Sequence, residues 1–371
     1  MGHFRPLCGR RGARAHRPWV GVARLRLFRI LSLAAVEVGA LVGAGFASGR
    51  EVHEFFARHG EGGRAGIVLF VVLIAVLGGL FLEAARRGGT RSYHELTTRL
   101  AGRRVADLAD PVVALALFLG LAVTIAGAGA LFRALGWGSP VVGVAVSAAL
   151  TAGVAWRGRR GVMAVNMAIV PGLVLLIALV AGVPELGAPA SWQLGVHTLA
   201  GAAGRSSVLY FLYNGLLAVV LFASLGGEAR RSADGWASAP IAAIVLGLLA
   251  CGVYEALARH PAVAGAELPL LVLAGRHGRA LTFAYALALA GALLTTAIGN
   301  AFGLLARVGS GRPSAPAVGA IVGAAGALAL VGFSPLVRYG YRLVAVAGAA
   351  YLAALALGAL LRLGRGGAEP W

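Results

Sequence analysis

The stretch VEVGALVGAGFASGREVHEFF, residues 36–56, decides how the rest of the chain is read. It lies in the first long apolar segment and packs Gly39, Gly43, Gly45 and Gly49 close together. Each glycine costs a helix interior ~1 kcal/mol relative to alanine, so a helix this rich in glycine is expected to break. In hydrocarbon, irregular backbone is tolerated only where protein or a water-filled cavity surrounds it. A membrane helix interrupted by glycines is therefore a pointer to a binding site. The same residues, as Gly39-x-x-x-Gly43 and Gly45-x-x-x-Gly49, also fit a close-packing pattern between neighbouring helices.

Composition supports the membrane reading. The chain is 59% hydrophobic and only 13% charged, with a mean hydropathy of +0.84. Soluble domains carry about 25% charged residues. The net charge of +19 does not signal nucleic acid, because the arginines cluster between apolar segments, as topology signals do. Cys8 and Cys251 lie far apart and offer neither a disulfide framework nor a metal spacing.

At about 20 apolar residues per span, about ten membrane helices are expected. They fall at 29–57, 64–86, 110–133, 139–156, 161–182, 206–226, 237–258, 278–307, 315–333 and 336–362. Residues 1–28 read as a basic, disordered cytoplasmic tail. The amphipathic stretch Arg86–Asp110, the loop 183–205 and a short tail at 363–371 account for the rest. A signal peptide is rejected, since many equally apolar segments follow the first. Arginine is densest in alternate connections, beginning with the N-terminal tail, which puts both termini in the cytoplasm of a plasma-membrane protein.

Ten helices divide into two five-helix sets, 29–182 and 206–362, and an odd-numbered repeat must be inverted relative to its twin. The sixth helix, partner of the first, should then also be interrupted. Tyr210-Phe211-Leu212-Tyr213-Asn214-Gly215 supplies an Asn-Gly pair in mid-segment, a strong turn signal. Paired interruptions in matching positions are the sequence sign of an inverted-repeat transporter.

The run GAGFASGREV-x-EFF at 43–56 resembles the signature of the YkvI-like bacterial membrane proteins, of the amino acid–polyamine–organocation superfamily with the LeuT-type fold. Tyr213-Asn214, LTTAIGN at 294–300 and, more loosely, GFSPLVRYGY at 332–341 extend the resemblance over nearly all the chain after residue 28. It implies an all-helical 5+5 inverted repeat whose first helix unwinds at Gly43-Ala44-Gly45, beside Phe46, where a substrate carboxylate meets exposed amides. The second break, at Tyr210, Tyr213, Asn214 and Gly215, would complete the substrate site. A sodium ion, where one is used, would lie between the carbonyls of Gly39, Val42 and Ala292 and the hydroxyls of Thr295 and Thr296. Such oxygen ligands suit a hard cation.

Other residues stand on their own chemistry. Glu37, two turns into the first helix, is a candidate proton carrier, because an ionisable group inside a membrane segment is a functional hypothesis by default. Arg50 and Glu51, one turn past the break, are a candidate outer gate, although the tenth helix offers no acid to pair with Arg50. His53-Glu54 with His59 misses the zinc spacing, since Ala57 stands where the second histidine would be needed. Asn166 and Asn300 read as interhelical hydrogen bonds, and Glu228 as a partner of Arg230 or Arg231. The function expected is cation-coupled (Na⁺ or H⁺) secondary transport of a small organic solute, an amino acid first, with no cofactor, no catalytic residue and no nucleic acid. The alternative is an amino-acid receptor of the same fold without turnover, like spore-germinant receptors.

Overall fold

The computed structural model describes residues 18–90, 92–157, 162–182, 196–226, 228–229, 231–308 and 313–364. Among the described residues the regular structure is helical throughout. In chain order the helices are α1 Pro18–Leu41, α2 Ala44–Ser48, α3 Arg50–Phe55, α4 Gly62–Gly88, α5 Tyr93–Ala101, α6 Arg103–Ala134, α7 Pro140–Arg157 and α8 Val162–Val180. They continue with α9 Ala202–Leu225, α10 Ser232–Arg259, α11 Pro261–Ala264, α12 Pro269–Arg276, α13 Arg279–Val308, α14 Ala315–Ala329, α15 Phe333–Pro335 and α16 Tyr341–Gly364. A wide helical turn, Leu336–Gly340, joins α15 to α16 in one run.

Among the described residues seven helical runs are long and apolar enough to cross a membrane: α4, α6, α7, α9, α10, α13 and the α15–α16 run. The chain is a multi-pass helical membrane protein. The other three expected spans are helical too. The first is divided among α1, α2 and α3, the fifth is α8, and the ninth is the fifteen-residue α14. Two boundaries differ from expectation by more than five residues. Helix α1 already begins at Pro18, inside the tail expected to be disordered. Helix α6 starts at Arg103 instead of 110, because the polar stretch before it is itself helical, with Ser92 capping α5 through Glu95 N.

Helix α4 packs between α9 and α10, α6 packs on α13 and α7, and α16 packs on α9. Small residues allow the approach. A Cβ on Gly79 would meet the Trp236 ring at 2.7 Å, and one on Gly129 would meet the Pro140 carbonyl at 2.8 Å. Lipid supplies no hydrophobic drive between helices, so close contact of this kind holds them together.

The two ends of the bundle are tied by ion pairs. At one end Arg86 and Arg87 both reach Glu83 at 2.7–2.8 Å, and Arg307 pairs with Asp110 at 3.2 Å while donating to the Tyr93 hydroxyl at 2.7 Å. At the other, Arg64 grips Glu255 with two bonds of 2.8 and 3.2 Å, tying α4 to α10.

Candidate functional site

The first helix breaks where the glycines predict. The last bond of α1 is Val42 N to Val38 O at 2.7 Å. Gly43 is extended, and Ala47 N then bonds Gly43 O at 2.9 Å to start α2. Gly49 sits at φ 80°, a left-handed conformation that side chains disfavour, and ends α2 one turn later. A Cβ there would also meet Leu270 of α12 at 2.8 Å.

Freed backbone groups are caught locally. Ser48 Oγ donates to Gly45 O at 2.6 Å and accepts from Arg50 N at 3.1 Å. The Tyr285 hydroxyl of α13 donates to Ala47 O. All five residues of α2 are buried, Ala44, Gly45 and Phe46 among them. This is enclosed irregular backbone in a membrane protein, the condition under which a break is tolerated.

The side chain at the centre is Glu51. It is 4% exposed and lies so close over α2 that a Cβ on Gly45 would overlap its carboxylate. The Tyr210 hydroxyl of α9 donates to Glu51 Oε2 at 2.7 Å, and the Tyr341 hydroxyl of α16 faces the same carboxyl. Tyr213 stacks on Tyr341 with ring centroids 3.7 Å apart. Phe55, Phe56 and Phe70 surround Tyr210 at 4.9–5.2 Å between centroids. One carboxyl, three phenols and three phenyl rings thus meet beside the broken turn.

Several expectations change. Of the two residues expected at an outer gate, Glu51 turns inward, whereas Arg50 donates to Ala266 O at 3.3 Å. The ion cluster at this end is built on Glu54, which holds Arg342 at 2.9 Å, Arg338 at 3.4 Å and Arg58. Beyond the span, His59 is held below the ordinary histidine range, first by burial and then by Arg58. At neutral pH it adds no charge to this cluster.

The second break does not form. Helix α9 runs unbroken from Ala202 to Leu225, through Asn214 and Gly215. Asn214 Nδ2 donates to Tyr210 O, one turn back on its own helix, at 2.9 Å. Gly215 packs against Leu352 of α16 at the distance of an ordinary contact. The turn preference of Asn-Gly is a solution preference. In an apolar packed setting a turn would strand backbone groups, and the helix bonds them all.

Of the expected cation ligands, Val42, Ala292 and Thr295 are buried, and Gly39 and Thr296 are half-buried. Helix α13, which carries Ala292, Thr295 and Thr296, packs on α2. The Thr295 hydroxyl donates to Gly291 O at 2.9 Å and Ala292 O at 3.2 Å, which gathers two of the expected oxygens in one place. Glu37, 1% exposed, accepts from Ser238 Oγ of α10 at 2.8 Å. One turn earlier on α10, the buried Asp234 receives Arg26 and Arg29, each at 3.6 Å. Asn300 packs on Gly120 of α6. The side chains of Asn166 and Arg230 and residues 183–195 of the expected loop 183–205 lie outside the described residues, and the rest of that stretch holds a short helical turn, Val196–Ala200, and the start of α9. Among the described residues no group of three or more His, Cys, Asp or Glu side chains could hold a metal. Tyr341 was missed from sequence because nothing in Tyr-Gly-Tyr says which tyrosine turns inward.

Fold and site together define a multi-pass membrane protein with an interrupted first span and an enclosed acidic, aromatic centre beside the interruption. No family model matches the chain. It is similar to the uncharacterized membrane protein YkvI of Bacillus subtilis (strain 168), 28% identical over 329 residues, covering 87% of this chain and 94% of that protein. The resemblance read from residues 43–56 therefore extends over most of the chain. Among solved structures it is similar to two variants of the Eremococcus coleocola manganese transporter, each at 16% identity, covering 97% of this chain and 91% of the other, with a TM-score of 0.47.

Proposed function

We propose that the protein is a secondary transporter of the plasma membrane that carries a small organic solute, an amino acid first, by cation-coupled alternating access. The observation that carries this reading is the break at Val42–Gly43, which leads into the buried α2, with Glu51 lying on Gly45 and bonded by Tyr210. A membrane protein tolerates interrupted backbone and an interior acid at the cost of stability, and such features mark substrate and ion paths. The site residues are Gly43, Ala44, Gly45, Phe46, Glu51, Tyr210, Tyr213 and Tyr341. Asn214, whose side chain also meets that of Tyr210, borders the site, and Gly215 packs on α16. Sodium, if used, takes the oxygens of Ala292 and Thr295 with those of the broken segment. A proton, if used, takes Glu37 or Glu51. No cofactor and no catalytic residue is part of this proposal.

The ten spans in two inverted sets of five, the LeuT-type arrangement and cytoplasmic termini belong to the same proposal. They rest on segment count and arginine distribution, since the paired break is lost.

The test is thermal stability of the purified protein with a panel of amino acids, each in sodium and in potassium buffer, followed by uptake into proteoliposomes. A ligand at a hundredfold excess over its dissociation constant adds ~2.7 kcal/mol. A shift confined to sodium, with uptake, supports a sodium symporter. A shift without uptake moves the protein to the receptor class. No shift with any amino acid overturns the amino-acid assignment.

A further inference from the structure

The chemistry around Glu51 is narrower than a general solute site requires. Among the described residues no basic side chain pairs with it. The groups that face it or its helix are accounted for one by one. On α3, Arg50 reaches Ala266 O and Glu54 is held by three arginines; His53 lies on the same helix. From α9 come Tyr210 and Tyr213, and from the last helix Tyr341, with Arg338 and Arg342 engaged by Glu54. On α10, which also packs on α3, Tyr254 donates to Gly60 O and Glu255 is paired with Arg64. Tyrosine hydroxyls donate hydrogen bonds to a carboxylate but cannot neutralise it. An ionised carboxylate left uncompensated inside a protein is costly, so it either holds a proton or finds a cation.

Which cation follows from the walls. Sodium and divalent ions want a shell of oxygens. Against the carboxyl here stand Tyr210, itself packed among the rings of Phe55, Phe56 and Phe70, and Tyr341, stacked on Tyr213. Aromatic faces with one acid are the surroundings an organic ammonium prefers. A Cβ on Gly43 would meet nothing within 4 Å, so there is room at the start of the broken turn, two residues before the Gly45 on which the carboxyl is pressed.

We propose that Glu51 is a single exchange position, holding a proton when the site is empty and releasing it to pair with the ammonium group of an incoming primary-amine solute. The inference rests on the transporter reading for the identity of the site, and names the group of the cargo that is recognised. The balance is simple. The cationic amine enters, the carboxylic acid loses its proton to water on the side the site faces, and a carboxylate–ammonium pair remains. Amine and proton cannot occupy Glu51 together, so moving one through the bundle drives the other the opposite way.

Three probes dissect the chemistry: leucine, 3-methylbutylamine without the carboxyl, and 4-methylpentanoate without the amine. Calorimetry on the purified protein should find binding for the two amines and none for the acid. Competition at one group makes affinity rise about tenfold per pH unit on the acid side, with one proton released per amine bound. The slope should vanish in Glu51→Gln and return in Glu51→Asp, which restores a carboxyl one methylene shorter; a slope unchanged in Glu51→Gln overturns the proposal. Infrared spectra of the empty protein should show a protonated carboxyl band that Glu51→Gln removes and that either amine bleaches. Binding of 4-methylpentanoate without the amines, a pH-independent affinity, an absent Glu51 band, or a band that neither amine alters would each overturn the proposal. A tenfold slope without amine-driven proton movement in vesicles fails the transporter reading and leaves the exchange at Glu51 standing.

Discussion

Gly43 and Gly45 look equivalent in a Gly-x-Gly motif, and the structure makes them very unequal. Gly43 has φ −79°, open to any residue, and its Cβ would meet nothing within 4 Å. Gly43→Ala should cost only the few tenths to about 1 kcal/mol of a poorer helix N-cap. A Cβ on Gly45 would overlap Glu51, with Cδ at 2.7 Å and Cγ at 2.9 Å. The acid must swing away and give up the Tyr210 bond. A hydrogen bond to a protonated carboxyl is worth ~0.5–1.5 kcal/mol, and a buried donor left without a partner adds ~1–3 kcal/mol. Alanine returns ~1 kcal/mol of helix propensity. The net expectation for Gly45→Ala is a loss of roughly 1–3 kcal/mol, against under about 1 for Gly43→Ala. Melting temperatures in one detergent measure both. The decisive variant is Gly45→Ala with Glu51→Ala, which removes the overlap. Its cost should fall short of the two single costs added together by at least ~1 kcal/mol, the signature of groups in contact. Additive costs, or a Gly45→Ala as mild as Gly43→Ala, would refute the placement of Glu51 on the broken turn.

Other expectations follow from the same geometry. Glu54→Gln leaves Arg58, Arg338 and Arg342 without their shared acid and should loosen the end of the bundle that α3 reaches. In a background lacking Cys8 and Cys251, Ser48→Cys should then alkylate about tenfold faster, the equivalent of ~1.4 kcal/mol; an unchanged rate would count against the cluster as a closure. Tyr285→Phe strips the buried Ala47 carbonyl of its partner and should lower stability by ~1–3 kcal/mol, read as a melting shift. Asn214→Ala removes only a bond within α9 and should cost no more than ~1.5 kcal/mol. Hydrogen exchange across residues 210–216 should stay as slow as in the flanking turns, and fast exchange at 214–215 would restore the break that the structure denies.

Much of the architecture could be read from residues. Long apolar runs separated by arginine clusters give helices and their rough limits, because hydrocarbon demands a minimum span and internal bonding of every backbone group. The break in the first helix was legible for a local reason. Four glycines weaken a helix wherever it sits, and Gly49 at φ 80° needs a residue without a side chain. Asn214-Gly215 misled because its signal, though local, competes with a tertiary term. The amide found a carbonyl one turn back, and α16 covered the glycine.

Glu51 shows the limit of one-dimensional reading most plainly. Beside Arg50, at the end of a helix, it reads as half of a surface pair. Its true partners stand 159 and 290 residues away in sequence, at Tyr210 and Tyr341. Composition and glycine spacing by themselves determined a membrane protein of many helices with an interrupted first span. Those properties follow from solvent and backbone, and they act residue by residue. Only the packing of α3 against α9 and α16 decided that an acid lies at the centre, that Glu54 instead of Arg50 gathers the ion pairs, and that α9 stays whole. Those are contests between distant groups for the same buried space, and they have an outcome only once the helices have met.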